Sequence, residues 1–526
     1  MASTTIRIPL RTARRIGVLV ATIALSLLQP YAARAEATAA PTKTTRKAKS
    51  TKKAAPHKED QTVAELKAEI QRLEQRIDTL ENLGQKVKVI DRKLEIQQEA
   101  DATKAKEEQK AQAAAPIVTA NSTGLTVTSP DKVYQFGFHG IIQGDGRFFM
   151  NGTDKGAGST FFLNRVRPIV DGTLWNYYYF HIEPDFGQGN VVLQDGYLDT
   201  QYFKDAEFKV GKYKAPLDLE RLQSDRDLIF SERALTINLV PNRDIGGSIH
   251  SDSLFDDRLT YQFALMNGVP NNTASVNTDS NDGKDFIGRV FTTPFKQSEN
   301  QWLKGLGFGF GASVGDERNG TISTYKTYGQ TTWFSYNSGV TAAGQRFRYE
   351  PQGYYYYRGL GLMAEFASDE HALNLTTSQK IKKGTKTITR SVSEYNNFTD
   401  RGYMLQGSYL LTGENASYGL VKPRNPFDPR RGTWGAFEIA SRISNLAVDP
   451  TVFEPVNKFG NSFANPSTSA KTATEYDIGL NWYLSDNVKW QFDYARTFFD
   501  GGAGTIAEPK DRPDESVFET QLQVTW

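Results

Sequence analysis

The sequence predicts an all-β fold, a transmembrane antiparallel β-barrel, preceded by an N-terminal coiled-coil helix. Three observations support this prediction: a secretory leader, a heptad segment before residue 110, and period-two alternation from about Val133 to Trp526. The composition agrees, because 31 Phe, 24 Tyr and 44 Gly accompany a mean hydropathy of -0.51. Abundant aromatics with low bulk hydropathy suit strands that are apolar on one face only.

Residues 1–35 have the pattern of a cleaved secretory signal peptide. Four arginines precede an apolar stretch, residues 16–28, and Ala33-Arg34-Ala35 supplies a cleavage site before Glu36. An uncleaved anchor is the alternative, and it is disfavoured because the stretch is shorter than the about 20 residues that a spanning helix needs. The chain has no Cys, which excludes a disulfide framework and is compatible with export.

Residues 36–61 are basic and of low complexity, so they predict a disordered arm. The arm is either simply solvated or in contact with peptidoglycan or lipid head groups, and an exported chain excludes nucleic acid as a partner. Residues 62–110 predict a coiled coil, with a solitary amphipathic helix as the alternative and a phase slip near Gly84. Residues 111–132 are expected to form a linker. The heptad positions are Leu66, Ile70, Leu73, Ile77 and Leu80.

Residues 133–526 carry the barrel signal, an alternation of apolar and polar side chains. In the first segment Phe136 and Ile142 fall on one face, whereas Asp145 and Arg147 fall on the other. The pattern recurs in residues 162–174, 258–266, 306–314, 476–484, 488–494 and 518–526. Dividing about 390 residues among strands of about 10, with turns and loops, gives roughly 14 to 18 strands.

A soluble β-sandwich would alternate in the same way, so the positions of the aromatic residues decide between the two folds. Tyrosines cluster at the expected strand ends in residues 177–179 and 354–357, and the final strand runs to Trp526. Girdles of aromatic residues are typical of strands that face lipid. The sequence therefore predicts a barrel surrounded by membrane lipid.

Several short motifs are spread over the barrel region. They are Leu410 to Glu414, Lys422-Pro423, Pro426 to Pro429, Gly432 to Glu438, Phe162 to Pro168, Gln194 to Asp199, Val210 to Lys214, Ser231 to Arg233 and Gly479 to Leu484. Together they resemble the phosphate-selective porin O and P family over essentially the whole barrel. The resemblance implies a 16-stranded, homotrimeric porin in the outer membrane of a Gram-negative bacterium, through which phosphate, oligophosphate or other small anions diffuse.

The resemblance also implies a third loop folded into the lumen, for which residues 215–244 are the counterpart. Family members hold anions there with two lysines and two serines, and the matching positions are Arg221, Ser224, Asp225 and Arg226. A carboxylate at the constriction repels phosphate unless an arginine pairs with it. We expect Asp225 to stand free in the constriction, with pairing to Arg226 or Arg233 as the alternative.

Period-two parity places a set of arginines on the polar face, where they could line an anion path. They are Arg147, Arg165, Arg167, Arg258, Arg289, Arg346, Arg348 and Arg442. Alternatively, they pair with carboxylates of the same face: Asp145, Asp171, Glu183, Asp195, Asp199 and Glu438. Total charge cannot produce an anion preference, because about 40 basic and 46 acidic residues follow Lys110.

The sequence predicts no enzyme, no metal site and no cofactor. It has five His, no Cys and no G-x-S-x-G motif, and the glycines at 305, 307, 309 and 311 alternate along a strand instead of opening a phosphate-binding loop. Three hypotheses remain: a passive channel for small anions, a weakly selective pore for general nutrients favoured by Asp225, and a structural tether that joins the barrel to peptidoglycan.

Overall fold

The computed structural model describes residues 58–150, 158–276, 283–383, 386–457 and 460–526. The predicted signal peptide and the basic arm up to residue 57 lie outside these residues. The described chain forms two compact units, one that ends at Pro116 and one from Ile117 to Trp526.

The first unit is a single helix, α1 (Lys58–Ala113), which continues through Gly84. The side chains of the predicted heptad seam lie on its surface, with exposed fractions from 48% at Leu73 to 64% at Leu80. Ion pairs between residues three apart, such as Arg92 with Glu95 at 2.9 Å, stabilise the helix only modestly. None of the described helices combines the length and hydropathy needed to cross a bilayer.

The second unit is an antiparallel barrel of 16 strands, which confirms the predicted fold. The strands are β3 (Gln135–Phe149), β4 (Thr160–Leu174), β5 (Tyr178–Asp185), β6 (Val192–Thr200), β7 (Glu207–Lys214), β8 (Arg243–Ser253), β9 (Leu259–Met266), β10 (Asp285–Thr292), β11 (Leu306–Arg318), β14 (Val340–Tyr357), β15 (Leu360–Lys383), β16 (Lys386–Leu410), β17 (Ala436–Ala447), β18 (Ala470–Tyr483), β19 (Val488–Gly501) and β20 (Glu515–Thr525). The last strand closes the barrel by pairing with the first, with Thr525 opposite Ile141.

Smaller elements lie between these strands. They are the hairpin β1 (Ile117–Asn121) and β2 (Gly124–Thr128), the pair β12 (Tyr325–Lys326) and β13 (Thr332–Phe334), the helix α2 (Leu219–Leu222), the one-turn segment Leu254–Asp257, and 3-10 turns at Gly187–Gly189, Leu235–Leu239 and Pro450–Phe453.

Alternation along each strand separates the lumen from the lipid-facing wall. In β20 the side chains of Glu519 and Gln521 are buried inside the barrel, whereas Leu522 and Val524 are 47% and 39% exposed on the outside. Polar groups inside and apolar groups outside are the arrangement that a bilayer requires of a spanning barrel.

The two ends of the barrel differ. We call the end with Trp526 and short connections such as residues 175–177 and 358–359 the turn end, and the opposite end the loop end. Exposed aromatic rings collect near the turn end, among them Trp175 and Tyr202, with exposed fractions of 60% and 50%. Such rings favour the interface between head groups and hydrocarbon.

The predicted linker, residues 111–132, contains regular structure instead: α1 runs to Ala113, and β1 and β2 form a hairpin. The hairpin forms because runs of β-branched residues, Ile117 to Thr119 and Thr126 to Thr128, lie on the two sides of a tight turn. In the turn the Asn121 side chain accepts a hydrogen bond from the Thr123 backbone at 2.8 Å. β2 pairs with the beginning of β3, with Leu125 opposite Phe138. β20 pairs with the remainder of the same edge of β3, from Ile141 onward, so β2 lies beyond the end of β20.

Candidate functional site: the lumen and its constriction loop

The connection between β7 and β8, residues 215–242, lies inside the barrel, and we call it the constriction loop. Its predicted end, Asp244, belongs to β8. Hydrogen bonds fasten the loop to the opposite wall: the Ser231 backbone donates to Asp493 Oδ2 at 2.9 Å, and Lys489 Nζ donates to the Leu228 carbonyl at 2.7 Å. The loop therefore crosses the lumen and narrows it.

Apolar packing holds the base of the loop in place. Leu217, Leu219 and Leu235 are at most 1% exposed. The glycine-rich face of β11 leaves room for them, because a Cβ at Gly311 would lie 2.5 Å from the Leu217 carbonyl oxygen. Gly311 of β11 thus permits a close approach between the loop and the wall.

A second connection, residues 319–339, also enters the lumen, which the sequence did not predict. Its Tyr328 hydroxyl lies 2.7 Å from Ser231 Oγ and donates to Asp493 at 2.9 Å. The side-chain amide of Asn238 in the constriction loop donates to the Lys326 carbonyl at 2.9 Å and accepts from the Lys326 backbone N–H at 3.1 Å. The two loops therefore support each other.

Four arginines surround Asp225 at the tip of the constriction loop. Its carboxylate contacts Arg167, forms an ion pair with Arg233 Nη2 at 2.8 Å, and lies 3.6 Å from Arg165 and 3.9 Å from Arg243. We call these five residues the Asp225 cluster. Asp225 is 5% exposed, so the expectation that its carboxylate stands free is wrong, and pairing with Arg233 is the outcome.

The cluster keeps Asp225 ionised. Burial raises the pKa of its carboxyl, but the positive charges of Arg165, Arg233 and Arg167 outweigh burial and hold the pKa well below the ordinary value of 3.8. The carboxylate therefore acts as a fixed partner that orients the guanidinium groups.

Other carboxylates complete the charge balance of the cluster. Arg167 also bonds Asp185 at 2.6 Å and Glu183 at 3.0 Å, and Arg243 bonds Asp195 at 3.2 Å. With Asp225, four carboxylates thus match the four arginines. This junction is nearly neutral, so an electrostatic preference must come from the cations around it.

Two chambers flank the constriction loop. The turn-end chamber has a volume of about 570 Å³, and its described lining has five basic and four acidic residues: Arg167, Lys209, Lys214, Arg226 and Arg243 against Asp171, Glu183, Asp195 and Asp225. The loop-end chamber has a volume of about 680 Å³, with three basic residues and one acidic: Arg147, Arg165 and Lys326 against Glu232. Arg165 lines one chamber and Arg167 the other, so the Asp225 cluster stands between them.

The predicted constriction residues fall into two groups. Ser224 is exposed in the turn-end chamber, and the side chain of Arg226 is 49% exposed there, with Asp227 as its ion-pair partner at 3.2 Å. Arg221, in contrast, is 5% exposed, lines neither chamber, and donates to Asn272 Oδ1 at 2.6 Å. The prediction that Arg221 faces the anion path is wrong, because its buried side chain turns to Asn272 in the connection between β9 and β10.

Seven of the eight predicted lumen arginines lie on inward faces of strands, and six of them pair with carboxylates. Arg147 bonds Glu519 at 2.6 Å, Arg346 and Arg348 bond Asp285 at 2.9 and 3.1 Å, Arg442 bonds Asp477 at 2.7 Å, and Arg165 and Arg167 belong to the Asp225 cluster. Arg289 instead bonds the amide oxygen of Gln352 at 2.8 Å.

Arg258 is the exception, and its assignment to the lumen is wrong. It follows a turn in which Phe255, Asp256 and Asp257 have positive φ angles, and β9 begins only at Leu259. Its guanidinium bonds back to the Phe255 carbonyl at 2.7 Å. The alternation of side chains between lumen and lipid holds only within a strand, so it cannot be extended backward through such a turn.

Sequence reasoning missed four cations of the chambers: Lys209, Lys214, Arg243 and Lys326. Lys214 and Arg243 end and begin the strands that carry the constriction loop, so their place beside the loop was a usable signal. The Lys214 ammonium donates to the Gln223 carbonyl at 2.7 Å and so holds the loop tip. Lys326 lies in the two-residue strand β12, which is too short to show periodicity, and only tertiary packing brings it inside.

A closed antiparallel barrel with a loop folded into a polar lumen defines the class of outer-membrane porins. The family model "Phosphate-selective porin O and P" matches residues 136–526. The chain therefore belongs to the phosphate-selective porin O and P family, as the sequence motifs predicted, and it is an outer-membrane channel for passive diffusion, not an enzyme.

Individual relatives are more distant. Porin O of Pseudomonas aeruginosa is 22% identical over 446 residues, which cover 78% of this chain and 93% of that protein. Among solved structures, the in-vitro folded trimer form of OmpT of Vibrio cholerae has a TM-score of 0.45 at 10% identity, covering 75% of this chain and 100% of that one. The channel DcaP of Acinetobacter baumannii has a TM-score of 0.43 at 10% identity, covering 75% and 97%.

Proposed function

We propose that this porin passes small anions, with phosphate and oligophosphate as its solutes. The observation that supports the proposal is the charge of the two chambers: basic residues outnumber acidic ones in the described lining of both, and Arg226 presents a half-exposed guanidinium at the tip of the constriction loop. The family description points to phosphate as the solute.

An anion that enters at the loop end first meets Arg147, Arg165 and Lys326. It then passes the Asp225 cluster and reaches Arg226 and Ser224. A guanidinium can donate two hydrogen bonds to phosphate oxygens, and the exposed Ser224 hydroxyl adds a neutral donor. These groups compensate an anion for the water that it loses on the way through the narrow segment.

The ion pairs of the Asp225 cluster fix the positions of its guanidinium groups, and the nearly neutral cluster does not repel a passing anion. Each guanidinium is oriented by carboxylates, so its position is fixed and no reorganisation is needed when an anion arrives. The mobile solute therefore interacts with cations that remain only partly neutralised, chiefly Arg226 and Lys326.

A weakly selective pore for general nutrients is the second candidate. It is favoured by the match of four arginines with four carboxylates at the junction between the chambers. If that neutrality governs permeation, the channel conducts anions and cations at similar rates.

Phosphate block of chloride current separates the two candidates. Purified protein is inserted into a planar bilayer in potassium chloride, and phosphate is added stepwise while single-channel current is measured. The anion channel predicts a saturable decrease of current at sub-millimolar to millimolar phosphate. A current that changes only with bulk conductivity, also with oligophosphate, supports the general pore and contradicts the proposal.

The N-terminal unit supports a trimer. Helix α1 exposes its apolar heptad seam along much of its length, and burial against equivalent helices of two further copies of this chain would cover it. Chemical cross-linking of the purified porin, read by mass, tests this: the homotrimer predicts a species of three chains, and monomer alone contradicts it.

The predicted signal peptide is expected to be removed before Glu36, which N-terminal sequencing decides.

The tether hypothesis concerns the same unit. A basic arm and a trimeric coiled coil could bind peptidoglycan, an anionic polymer, while the barrel anchors them in the outer membrane. Co-sedimentation of the porin with purified peptidoglycan, with and without residues 36–110, measures this. Equal sedimentation of both proteins contradicts a tether.

A further inference from the structure

Three carboxylates meet where the base of the constriction loop packs on the barrel wall. Asp218 caps helix α2, Glu350 belongs to β14 and Glu365 to β15. One oxygen from each lies within 4.8 Å of the others. All three residues are buried, with exposed fractions of 1%, 0% and 4%. We call them the carboxylate triad.

Backbone donors satisfy only part of the triad. Asp218 Oδ1 accepts from the Arg221 backbone N–H, and Glu365 Oε1 accepts from the Glu220 backbone N–H at 2.8 Å. The other oxygens, Asp218 Oδ2, Glu365 Oε2 and both oxygens of Glu350, are buried without a hydrogen-bond donor. In the described part of the chain, no Lys, Arg or His forms an ion pair with the triad.

Three buried carboxylates without counter-ions are energetically untenable. A buried charge costs several kcal/mol unless it is paired or coordinates a metal. Either protons or a cation must therefore neutralise the triad. The nearby guanidinium of Arg289 forms no ion pair with any of the three, and its Nε donates to Gln352 instead.

The chemistry of the ligands selects the kind of cation. Carboxylate oxygens without His or Cys are the ligand set of hard divalent ions, not of zinc. Calcium binds oxygens at about 2.3–2.6 Å, so ligands on its opposite sides lie about 4.6–5.2 Å apart. One oxygen of each carboxylate lies within 4.8 Å of the others, which is close enough for all three to reach one ion. Magnesium requires near-ideal octahedral geometry and usually keeps several waters, so an irregular, buried set of carboxylates suits calcium better.

We propose that Asp218, Glu350 and Glu365 bind one calcium ion, which fastens the base of the constriction loop to strands β14 and β15. The unpartnered oxygens of Glu350 point to a ligand, and the ion would complete their coordination. Such a site sets the depth at which the loop crosses the lumen, and it does not depend on which solute the porin passes.

Calcium binding to the folded porin tests the proposal. The protein is treated with a chelator in detergent and dialysed against calcium chloride, and bound metal is counted by mass spectrometry. Wild type should bind one more calcium ion per chain than Glu350→Gln with Glu365→Gln. Calcium should also raise the melting temperature of wild type and not that of the double variant. Glu370→Gln, an exposed position on β15, is the matched control and should behave as wild type.

Folding of each variant is checked by the heat-induced mobility shift on gels. If the double variant does not fold, Glu350→Gln alone decides, because loss of one ligand should weaken calcium binding about tenfold or more. Equal calcium content in wild type and variant overturns the proposal. A second result also overturns the proposal. Calcium then does not change the melting temperature of wild type, and the wild-type infrared spectrum has a band of protonated carboxyl that the double variant lacks. Protons, not calcium, would then neutralise the triad.

Discussion

Replacement of Arg226 by alanine tests the proposed anion path at the position where the structure permits the cleanest perturbation. The side chain projects into the turn-end chamber, whereas its backbone carbonyl holds the loop by accepting from Lys489 Nζ and from Gln523 Nε2, both at 3.1 Å. Truncation at Cβ removes the guanidinium and leaves both bonds in place. We therefore expect a change in anion affinity without displacement of the loop.

The expected magnitude follows from Coulomb's law. A phosphate charge about 5 Å from the guanidinium gains about 0.8 kcal/mol at the dielectric constant of water and about 3 kcal/mol at an effective value of 20. These limits correspond to about 4-fold and on the order of 200-fold in affinity. Because the Arg226 side chain is 49% exposed, water screens much of the interaction. We expect phosphate block of chloride current to weaken about tenfold.

The assay is the phosphate titration of single-channel chloride current, with Arg226→Lys and Arg431→Ala as controls. Arg226→Lys keeps the charge and should lie between wild type and alanine, because an ammonium lacks the bidentate geometry. Arg431 is an exposed arginine that also pairs with a neighbouring aspartate, Asp428 at 3.3 Å, but it lines neither chamber. An unchanged half-blocking concentration in Arg226→Ala, or an equal loss in Arg431→Ala, would refute the reasoning.

Three further predictions concern the loop and the N-terminal unit. Asp225→Asn should increase open-channel current noise and lower the free energy of unfolding by about 3 kcal/mol, because buried arginines lose their partner; a quiet channel with unchanged urea unfolding contradicts this. The pKa of Asp225 is held below its usual value, so its stabilisation is present above about pH 3.9 and is lost as the pH falls through the lower folded value. Current noise should therefore be equal at pH 7 and pH 5, and a rise at pH 5 counts against the ionised cluster. Deletion of residues 36–110 should leave a heat-resistant barrel with normal conductance, since the barrel closes its own edges; loss of the folded band on gels would show otherwise.

The wall of the barrel was predictable because its signal is local. Period two assigns Arg147 and Arg348 to the lumen from the strand pattern alone, since lipid outside and polar groups inside constrain every residue of a strand. The same rule failed at Arg258 because a turn with positive φ angles interrupts the phase. It also missed the short hairpin of β1 and β2, whose five-residue strands give little periodicity.

The site was less predictable because its contacts are long-range. Asp225 meets Arg165 and Arg167 across about 60 positions of sequence, and the loop reaches Asp493 across more than 260. Strand parity fixes which face a side chain occupies but not which loop tip it meets, so the free and paired states of Asp225 could not be separated. The carboxylate triad depends in the same way on one loop residue and two strands that are distant in sequence.

The measurement that tests the central claim most directly is the zero-current potential of the wild-type porin in a bilayer under a tenfold gradient of potassium chloride. An excess of partly neutralised basic groups along both chambers predicts a potential whose sign shows chloride to be more permeant than potassium. A potential of zero, or one of the opposite sign, would contradict the account of this protein as an anion-preferring porin.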